Sequence, residues 1–327
     1  MGLAHKPVFR IQANGKDITA AIKARLTSLT ITDEAGFKSD SITIKIENTG
    51  DGVRLPSQGA ELRVWLGYGS PSTYMGLFVV NELELSGPPD SMTIRANGAA
   101  FKKSNSFSAL QTRKERSWTP TTVGEMVDKI ASEHGLSPAI SEELKGHALS
   151  HIDQVGESDL NMLTRIARDV EAITKVGNGK LIFAKESKGK TTSGKTMPVV
   201  NLRKEEISTY SVKIAERAAY KSVVAKWRDT DNAKDVQEKA GSGEPAFIIR
   251  HVHKDQKSAL DAARSRLNQY QRGKAALSLT LPGRSDLRAE SKLHLSGLPD
   301  GVNGVWTVKR VTHELGAGYR CRVEGEG

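Results

Sequence analysis

Hydrophobic and polar residues alternate with a period of two in two separate stretches of the chain, Leu62 to Ala96 and Leu293 to Val323. In each stretch the alternation is interrupted by glycine and other turn-favouring residues, and then resumes. A period of two broken by turn residues is typical of antiparallel strands that bury one face. The two stretches therefore predict two antiparallel β meanders, one in each half of the chain.

The two meanders also share the order of their glycine, aromatic and aliphatic positions. We expect the matching residues to form a repeated structural core, in which Gly76 aligns with Gly304, Phe78 with Trp306, Val80 with Val308, and Leu83 with Val311. This favours a duplicated β unit, each half closing into a small barrel or a strongly curled sheet. The alternative is convergence, because alternating patterns resemble one another easily.

The pattern between the meanders is helical, and it divides the chain into three predicted domains. Residues 1–105 are expected to form a first β-barrel, residues 106–190 a small α/β insert, and residues 191–327 a second β-barrel. The predicted fold class is therefore mainly β with an α+β insert, in which two related small barrels follow one another along the chain.

Three helices are predicted from apolar spacing and capping residues. Thr122 and Glu125 fit a capping box at the start of the first helix, and a second helix should start near Ser158. A third helix is predicted within the second β-barrel, over about residues 257–271. Two polar stretches are expected to lack regular structure: Lys102 to Arg116 as a linker or docking loop, and Arg228 to Pro245 as a mobile loop.

Composition limits the possible classes of protein. The 327 residues are 37% hydrophobic, and no apolar run approaches the roughly 20 residues of a membrane span. Met1 to Arg10 carry no apolar signal region, so synthesis and folding are expected in a cytoplasm. The net charge of +10 arises mostly after residue 200, where basic residues are mixed with acidic ones. This favours a role in solubility over contact with nucleic acid or an acidic protein.

One segment matches a nucleotide-binding motif in its letters. Gly189 to Thr196 fits the phosphate-binding loop pattern, which normally joins a buried strand to a helix N-terminus. Pro198 and a predicted strand follow immediately, so a helix is not expected there. We interpret the segment as a hairpin tip, with nucleotide binding as the less favoured alternative.

Histidines occur in two groups that resemble partial metal sites. One group is His147, His151 and Asp153, and the other is His251 and His253 on one predicted strand face. Neither group supplies a complete set of clustered ligands, so surface or turn positions are favoured over metal binding.

The remaining catalytic patterns are incomplete. His313-Glu314 begins a zinc-protease motif, but no second histidine follows four residues later. Gly241-Ser242-Gly243 resembles a flexible loop more than the strained turn that exposes a serine nucleophile. The single cysteine, Cys321, excludes an internal disulfide. We expect no catalytic residue, no cofactor and no bound metal, which favours a structural role.

A series of short motifs resembles the late control D tail-hub proteins of contractile-tailed phages. The likeness extends over almost the full chain, and it depends on the order of the motifs because none of them is diagnostic alone. The motifs are Pro7-x-Phe9, Asn14-Gly15-x-Asp17-Ile18-Thr19, Arg25-Leu26-x-Ser28-Leu29-Thr30-Ile31-Thr32-Asp33, Ser39-Asp40, Leu55-Pro56-x-x-Gly59, Leu66-Gly67-Tyr68, Ser86-Gly87-Pro88-Pro89, Arg116-Ser117-Trp118, Asp153-Gln154-x-x-Glu157-Ser158-Asp159-Leu160, Leu281-Pro282-Gly283 and Gly304-Val305-Trp306.

The resemblance implies a central baseplate hub in the virion tail or in a tail-like particle. Such hubs are similar to the base of the spike protein in type VI secretion. They carry two related barrels and an insert likened to LysM modules, and they form trimers. Three chains with two barrels each would present six similar faces to a hexameric tail tube, and threefold symmetry to a trimeric spike. The tape-measure protein and other baseplate proteins are expected partners, and DNA is expected only as passing cargo.

An enzyme is the alternative from another functional class. The LysM-like insert and the basic second half are also compatible with a tail-associated peptidoglycan hydrolase or a cell-wall-binding protein. No catalytic residue transfers from the resemblance, because the matched motifs are strands and turns.

Overall fold

The structure is a computed structural model of the whole chain. It describes residues 6–36, 38–50, 52–69, 72–98, 109–149, 151–177, 179–185, 199–214, 220–230, 232–271 and 275–327. The predicted loop from Gly189 to Thr196 lies outside the described residues.

The N-terminal part is an antiparallel meander preceded by a short hairpin. Its elements are β1 (Pro7–Ala13), β2 (Lys16–Asp17), α1 (Thr19–Lys23), β3 (Leu26–Glu34), β4 (Ser41–Glu47), β5 (Glu61–Tyr68), β6 (Thr73–Ser86) and β7 (Ser91–Gly98). Ile42, Ile44 and Ile46 on β4 are each no more than 1% exposed, whereas Lys45 and Glu47 are exposed. The period-two alternation thus gives one buried face and one polar face, as predicted.

The middle part mixes short strands with two helices of eleven residues. Its elements are β8 (Arg113–Trp118), β9 (Thr121–Thr122), α2 (Val123–Glu133), β10 (Ser137–Ile140), α3 (Glu142–Lys145), β11 (Ala148–Leu149), β12 (Ile152–Ser158), α4 (Asp159–Asp169), β13 (Ala172–Gly177) and β14 (Lys180–Lys185). The predicted capping box is present, since the Glu125 N–H donates to the Thr122 hydroxyl and the Thr122 N–H donates to the Glu125 carboxylate. Ser158 caps α4 through its hydroxyl, which accepts from the Asn161 N–H.

The C-terminal part returns to the meander and adds a helix-covered layer. Its elements are β15 (Val200–Arg203), a 3-10 turn (Lys204–Glu206), β16 (Thr209–Ile214), β17 (Ser222–Asp229), β18 (Lys234–Gly241), β19 (Ala246–His253), α5 (Gln256–Gln271), β20 (Ala275–Pro282), β21 (Lys292–Ser296), β22 (Gly304–Leu315) and β23 (Tyr319–Glu326). Strands β17, β18 and β19 form a separate three-stranded sheet against which α5 packs. The helix predicted over about residues 257–271 is therefore present.

The N-terminal and C-terminal meanders join into one sheet. Thirteen of the described strands belong to it, and the main path runs β16-β20-β23-β22-β3-β4-β7-β6-β5-β1-β2, with β21 and β15 extending from β22. The buried faces of both meanders belong to a single hydrophobic cluster, while the middle part has its own core. The path is open at both ends in the described residues, so the pairing does not close either half into a barrel within one chain.

Two sequence expectations are wrong. The stretch from Arg228 to Pro245 was expected to be a mobile loop, but it contains strand β18, which pairs along its length with β17. Only Ala240 on β18 is buried, because the strand forms a solvent-facing edge and can be polar at nearly every position. Likewise, the C-terminal end of the predicted linker from Lys102 to Arg116 belongs to strand β8.

Candidate functional site

The seam between the two meanders, formed by β3 and β22, is the first candidate site. The strands pair antiparallel from Arg310 opposite Glu34 to Leu315 opposite Leu29. Arg310 donates from Nε to the Glu34 carboxylate at 2.7 Å and from Nη1 to Glu324 at 3.0 Å. The seam is therefore held by backbone hydrogen bonds and by an ion pair that links neighbouring strands.

The predicted repeat residues occupy matching positions on either side of this seam. Within the first meander, Gly76 lies opposite Val64, and in the second Gly304 lies opposite Leu295. The other equivalent pairs are Phe78 with Leu62 and Trp306 with Leu293, Val80 with Ala96 and Val308 with Gly325, and Leu83 with Ile94 and Val311 with Val323. Each meander also has a shift in strand register at the same place, after Val80 in the first meander and after Val308 in the second.

The burial of the repeat residues differs at one position. Phe78, Val80, Trp306, Val308 and Val311 are all 5% exposed or less. Leu83 is only partly buried, although its counterpart Val311 is fully buried. Gly76 and Gly304 have φ values of +145° and +125°, a region that L side chains rarely adopt.

A carboxylate cluster connects the seam to the middle part of the chain. Lys175 on β13 donates to the Asp40 carboxylate at 2.6 Å and to the Glu34 carbonyl oxygen at 2.7 Å. Asp33 lies beside them and accepts from the Ala289 N–H at 3.2 Å. The Asp33 side chain is partly accessible to solvent, but the surrounding protein removes most of the water that would solvate its carboxylate. This desolvation and the nearby Asp40 charge raise the pKa of Asp33 to about 6, against the opposing effect of Lys175.

A second polar cluster lies on the buried side of the same seam. His313 is fully buried, and its Nδ1 lies 2.8 Å from the Tyr319 hydroxyl and 3.3 Å from the Cys321 sulfur. Burial and the charge of Arg288 lower the pKa of His313 to about 3, so the imidazole is neutral at pH 7. His313 belongs to strand β22, and with Tyr319 and Cys321 it forms a packed polar core. Burial raises the pKa of the Cys321 thiol, so the thiol is a poor nucleophile.

The middle part contains a buried carboxylate that sequence reasoning did not single out. Asp159 is 0% exposed and accepts hydrogen bonds from four side chains: Lys114 Nζ, Arg116 Nη2 and His134 Nε2 at 2.7 Å, and Gln154 Nε2 at 2.9 Å. Burial acts to raise the pKa of Asp159, but the donors outweigh it and hold that pKa below its ordinary value. The signal was present in the Arg116-Ser117-Trp118 and Gln154-to-Asp159 motifs, whose members meet here.

This cluster also includes the one grouping with metal-ligand spacing among the described residues, formed by Glu133, His134 and Asp159. Lys114 and Arg116 bridge both carboxylates at distances between 2.7 and 3.1 Å. Two cations already neutralise the carboxylates, so a divalent ion would meet positive charge at this site. The arrangement is that of a hydrogen-bonded ion-pair network.

The two histidine groups line one cleft between the middle part and the α5-covered layer. The cleft has a volume of about 850 Å³, and its walls include His147, His151, Asp153, His251 and His253. Spatial proximity of the two groups could not be read from the sequence, because they are about one hundred residues apart. The groups keep short-range contacts of their own: the His251 and His253 rings are 4.9 Å apart, and His151 pairs with Asp153 at 3.0 Å.

His251 and His253 were both expected at the strand surface, and this expectation is wrong for His253. His251 is exposed, but His253 is only 7% exposed, and its Nε2 has no hydrogen-bond partner in the described part of the chain. Burial and the neighbouring His251 lower the pKa of His253.

The candidate serine nucleophile, Ser242, is exposed in the turn between β18 and β19. Gly241 and Gly243 on either side of it have positive φ.

Comparison with known proteins agrees with this sheet-based architecture. A sequence profile described as Phage tail baseplate hub (GPD) matches residues 45–319. The probable baseplate hub protein of Escherichia phage 186 is 33% identical, and the alignment covers 99% of this chain and 94% of that protein. The probable baseplate hub protein of Escherichia phage P2 is 32% identical over 98% of this chain and 93% of that protein.

Solved structures at low identity establish the same fold. A tail protein from Neisseria meningitidis MC58 superposes with a TM-score of 0.73 at 12% identity, covering 98% of this chain and 97% of that protein. An Escherichia coli component of the type VI secretion system, described as similar to bacteriophage T4 tail proteins, superposes with a TM-score of 0.56 at 13% identity. The alignment covers 98% of this chain and 76% of that component.

The chain belongs to the phage tail baseplate hub family. It is a structural hub of a contractile phage tail, and its place is the tail baseplate of the virion, as the order of the sequence motifs predicted. No described helix is long and apolar enough to cross a membrane.

Proposed function

We propose that three copies of this chain form a ring that joins a hexameric tail tube to a trimeric spike. The single observation that carries the proposal is the repeated strand order. In order of pairing, the first meander runs β3-β4-β7-β6-β5, and the second runs β16-β20-β23-β22-β21. Two units with one topology give each chain two similar faces, and three chains six.

The open sheet supports the same arrangement. A sheet with unpaired edges exposes backbone N–H and C=O groups, which invite pairing with another strand. In a ring, each chain would extend the sheet of the next, and the tandem barrels expected for single chains would be replaced by one closed barrel shared among copies. The passage inside it would be the path of DNA and of the tape-measure protein.

The proposed role is structural and includes no catalytic step. The polar clusters support this, because their buried groups are hydrogen-bonded to one another within the insert, between the insert and the sheet, and within the sheet. The α/β insert, which family resemblance likens to LysM modules, would act as a peripheral arm that contacts other baseplate proteins.

The copy number in an assembled tail end tests the proposal. An electron-microscopy reconstruction of the baseplate should resolve three copies of the chain, each contributing two units to a ring with approximate sixfold symmetry beneath the tube. One copy, six copies, or three copies whose two units occupy unrelated positions would contradict it.

A further inference from the structure

The two strands of the β3–β22 seam each have a counterpart with an uncovered edge: β6 corresponds to β22, and β16 corresponds to β3. Strand β22 pairs with β21 through Gly304 to Thr307, and with β3 through Arg310 to Leu315. Strand β6, its counterpart, pairs with β5 in the same way, but Glu82 to Ser86 has no second partner among the described strands. This segment of β6 corresponds to the part of β22 that pairs with β3.

The other open edge is β16, the counterpart of β3. The correspondence follows from the ladder, in which Leu29 pairs with Ile44 and Ile44 with Ile94, while Tyr210 pairs with Leu279 and Leu279 with Val323. Strand β3 uses its far edge to bind β22, whereas the far edge of β16 has no partner within the described residues. One chain therefore has both halves of a second seam, one at the β16 end of its sheet and the other on the part of β6 that β5 does not cover.

Burial at equivalent positions supports this interpretation. In the internal seam, His313 on β22 and Leu29 on β3 are both 0% exposed. Their counterparts on the uncovered edges are Leu85, which is 58% exposed, and Tyr210, which is 40% exposed. Exposed apolar side chains on an unpaired strand edge mark a surface that another strand covers.

We infer that the β16 edge of one copy pairs antiparallel with the β6 edge of the next, in the register of the internal seam. Transferring that register places Val212 opposite Leu85, Ile214 opposite Leu83, and Lys213 opposite Glu84. The last pair brings opposite charges together, which favours this register. The inference rests on the proposed ring, and it names the strands and the register that would hold the ring together.

Disulfide crosslinking tests the register. Directly opposite residues in antiparallel strands have Cβ atoms about 4.5–5.5 Å apart, close to the spacing that a disulfide accepts. The double variant Leu85→Cys with Val212→Cys should form covalent trimers under mild oxidation, detected on a denaturing gel. The control Leu85→Cys with Ser211→Cys is shifted by one residue and places the second thiol on the opposite sheet face, so it should remain uncrosslinked. The native Cys321 is fully buried and is present in both variants.

A charge exchange gives a second, independent measurement. Glu84→Lys alone and Lys213→Glu alone should each weaken association, and the double exchange should restore it. The proposal is overturned if the trimer forms but the Leu85/Val212 pair does not crosslink, or if the shifted control crosslinks equally well. In that case the trimeric function stands and only the seam is wrong. A parent chain that never forms trimers contradicts both.

Discussion

Arg310 donates a hydrogen bond to Glu34, 2.7 Å away, across the strand pair that joins the two meanders into one sheet. The two residues are 276 positions apart in the chain. The Glu34 side chain is 14% exposed and that of Arg310 is 32% exposed, so water screens the pair only partly. The ion pair therefore stabilises the contact between two halves that are otherwise distant in sequence.

Loss of this ion pair should weaken the seam. Arg310→Met keeps most of the apolar stem and removes the charge, so we expect a loss of about 1 kcal/mol in the free energy of unfolding. Urea denaturation measures it, and a double-mutant cycle with Glu34→Gln isolates the pair. The matched control is Arg320→Met, which removes the more exposed pair with Glu314 and should cost less. Equal effects of the two substitutions would show that the seam pair has no special role.

Protonation of Asp33 should stabilise the fold. Because its pKa is raised to about 6 from an ordinary 3.8, the folded chain binds this proton more tightly than the unfolded chain. The ionised Asp33 carboxylate lowers the free energy of unfolding by its full amount above about pH 6, and this destabilisation diminishes as the pH falls towards 4. Asp33→Asn, which keeps the acceptor for Ala289, should therefore raise stability by about 1 kcal/mol at pH 7 and by less near pH 4.

A control with the opposite sign is available in the same protein. Hydrogen bonds from Thr19 lower the pKa of Asp17 to about 2, so ionised Asp17 favours the folded state and this contribution is lost only as the pH falls towards 2. Asp17→Asn should not stabilise the protein at neutral pH. A pH profile of urea unfolding in which Asp33→Asn matches the parent at every pH would contradict the assignment.

Removal of the Asp159 charge should destabilise the α/β insert. Asp159→Asn leaves Lys114 and Arg116 close together without their buried counterion, and loss of one partner of a buried pair costs about 3–5 kcal/mol. Hydrogen exchange should therefore show faster opening of the amides of α2 and α4 than of the large sheet. Asp153→Asn, an exposed carboxylate on the neighbouring strand, serves as the control and should leave exchange unchanged. Uniform acceleration across the chain would instead mean that the insert does not unfold by itself.

A charge placed on the free β16 edge should prevent ring assembly without unfolding the chain. Ile214→Lys changes a side chain that is already 70% exposed, so the circular dichroism spectrum and the thermal midpoint should remain close to those of the parent. Association should weaken at least about tenfold, which corresponds to about 1.4 kcal/mol. Val155→Lys, on the insert and 75% exposed, should leave association intact. Sedimentation velocity separates the two outcomes, and a fully trimeric Ile214→Lys protein would refute the role of this edge.

Local signals in the sequence were sufficient to predict the elements with strong periodicity. The alternation of Ile42, Ile44 and Ile46 and the capping pair Thr122 and Glu125 depend on neighbours within a few residues, so they can be interpreted without tertiary structure. Strand β18 was missed because its alternating face meets solvent and supplies almost no apolar signal.

The candidate sites depend on contacts that local sequence patterns do not encode. The Lys175–Asp40 pair and the Arg310–Glu34 pair join residues 135 and 276 positions apart. One tertiary contact was indirectly visible: the Leu281-Pro282-Gly283 motif includes a glycine where a Cβ would lie 2.1 Å from the Tyr319 ring. The sequence contained the glycine but not the identity of the side chain that requires it.

We infer that this chain works as a trimer, in which two meanders from each of three copies imitate the six subunits of the tail tube. The most direct test is the mass of the untagged protein in solution, measured by light scattering both alone and after mixing with the spike protein. We expect a species of three times the chain's 35.5 kDa, with the spike bound as a further trimer. A chain that remains monomeric under both conditions would contradict it.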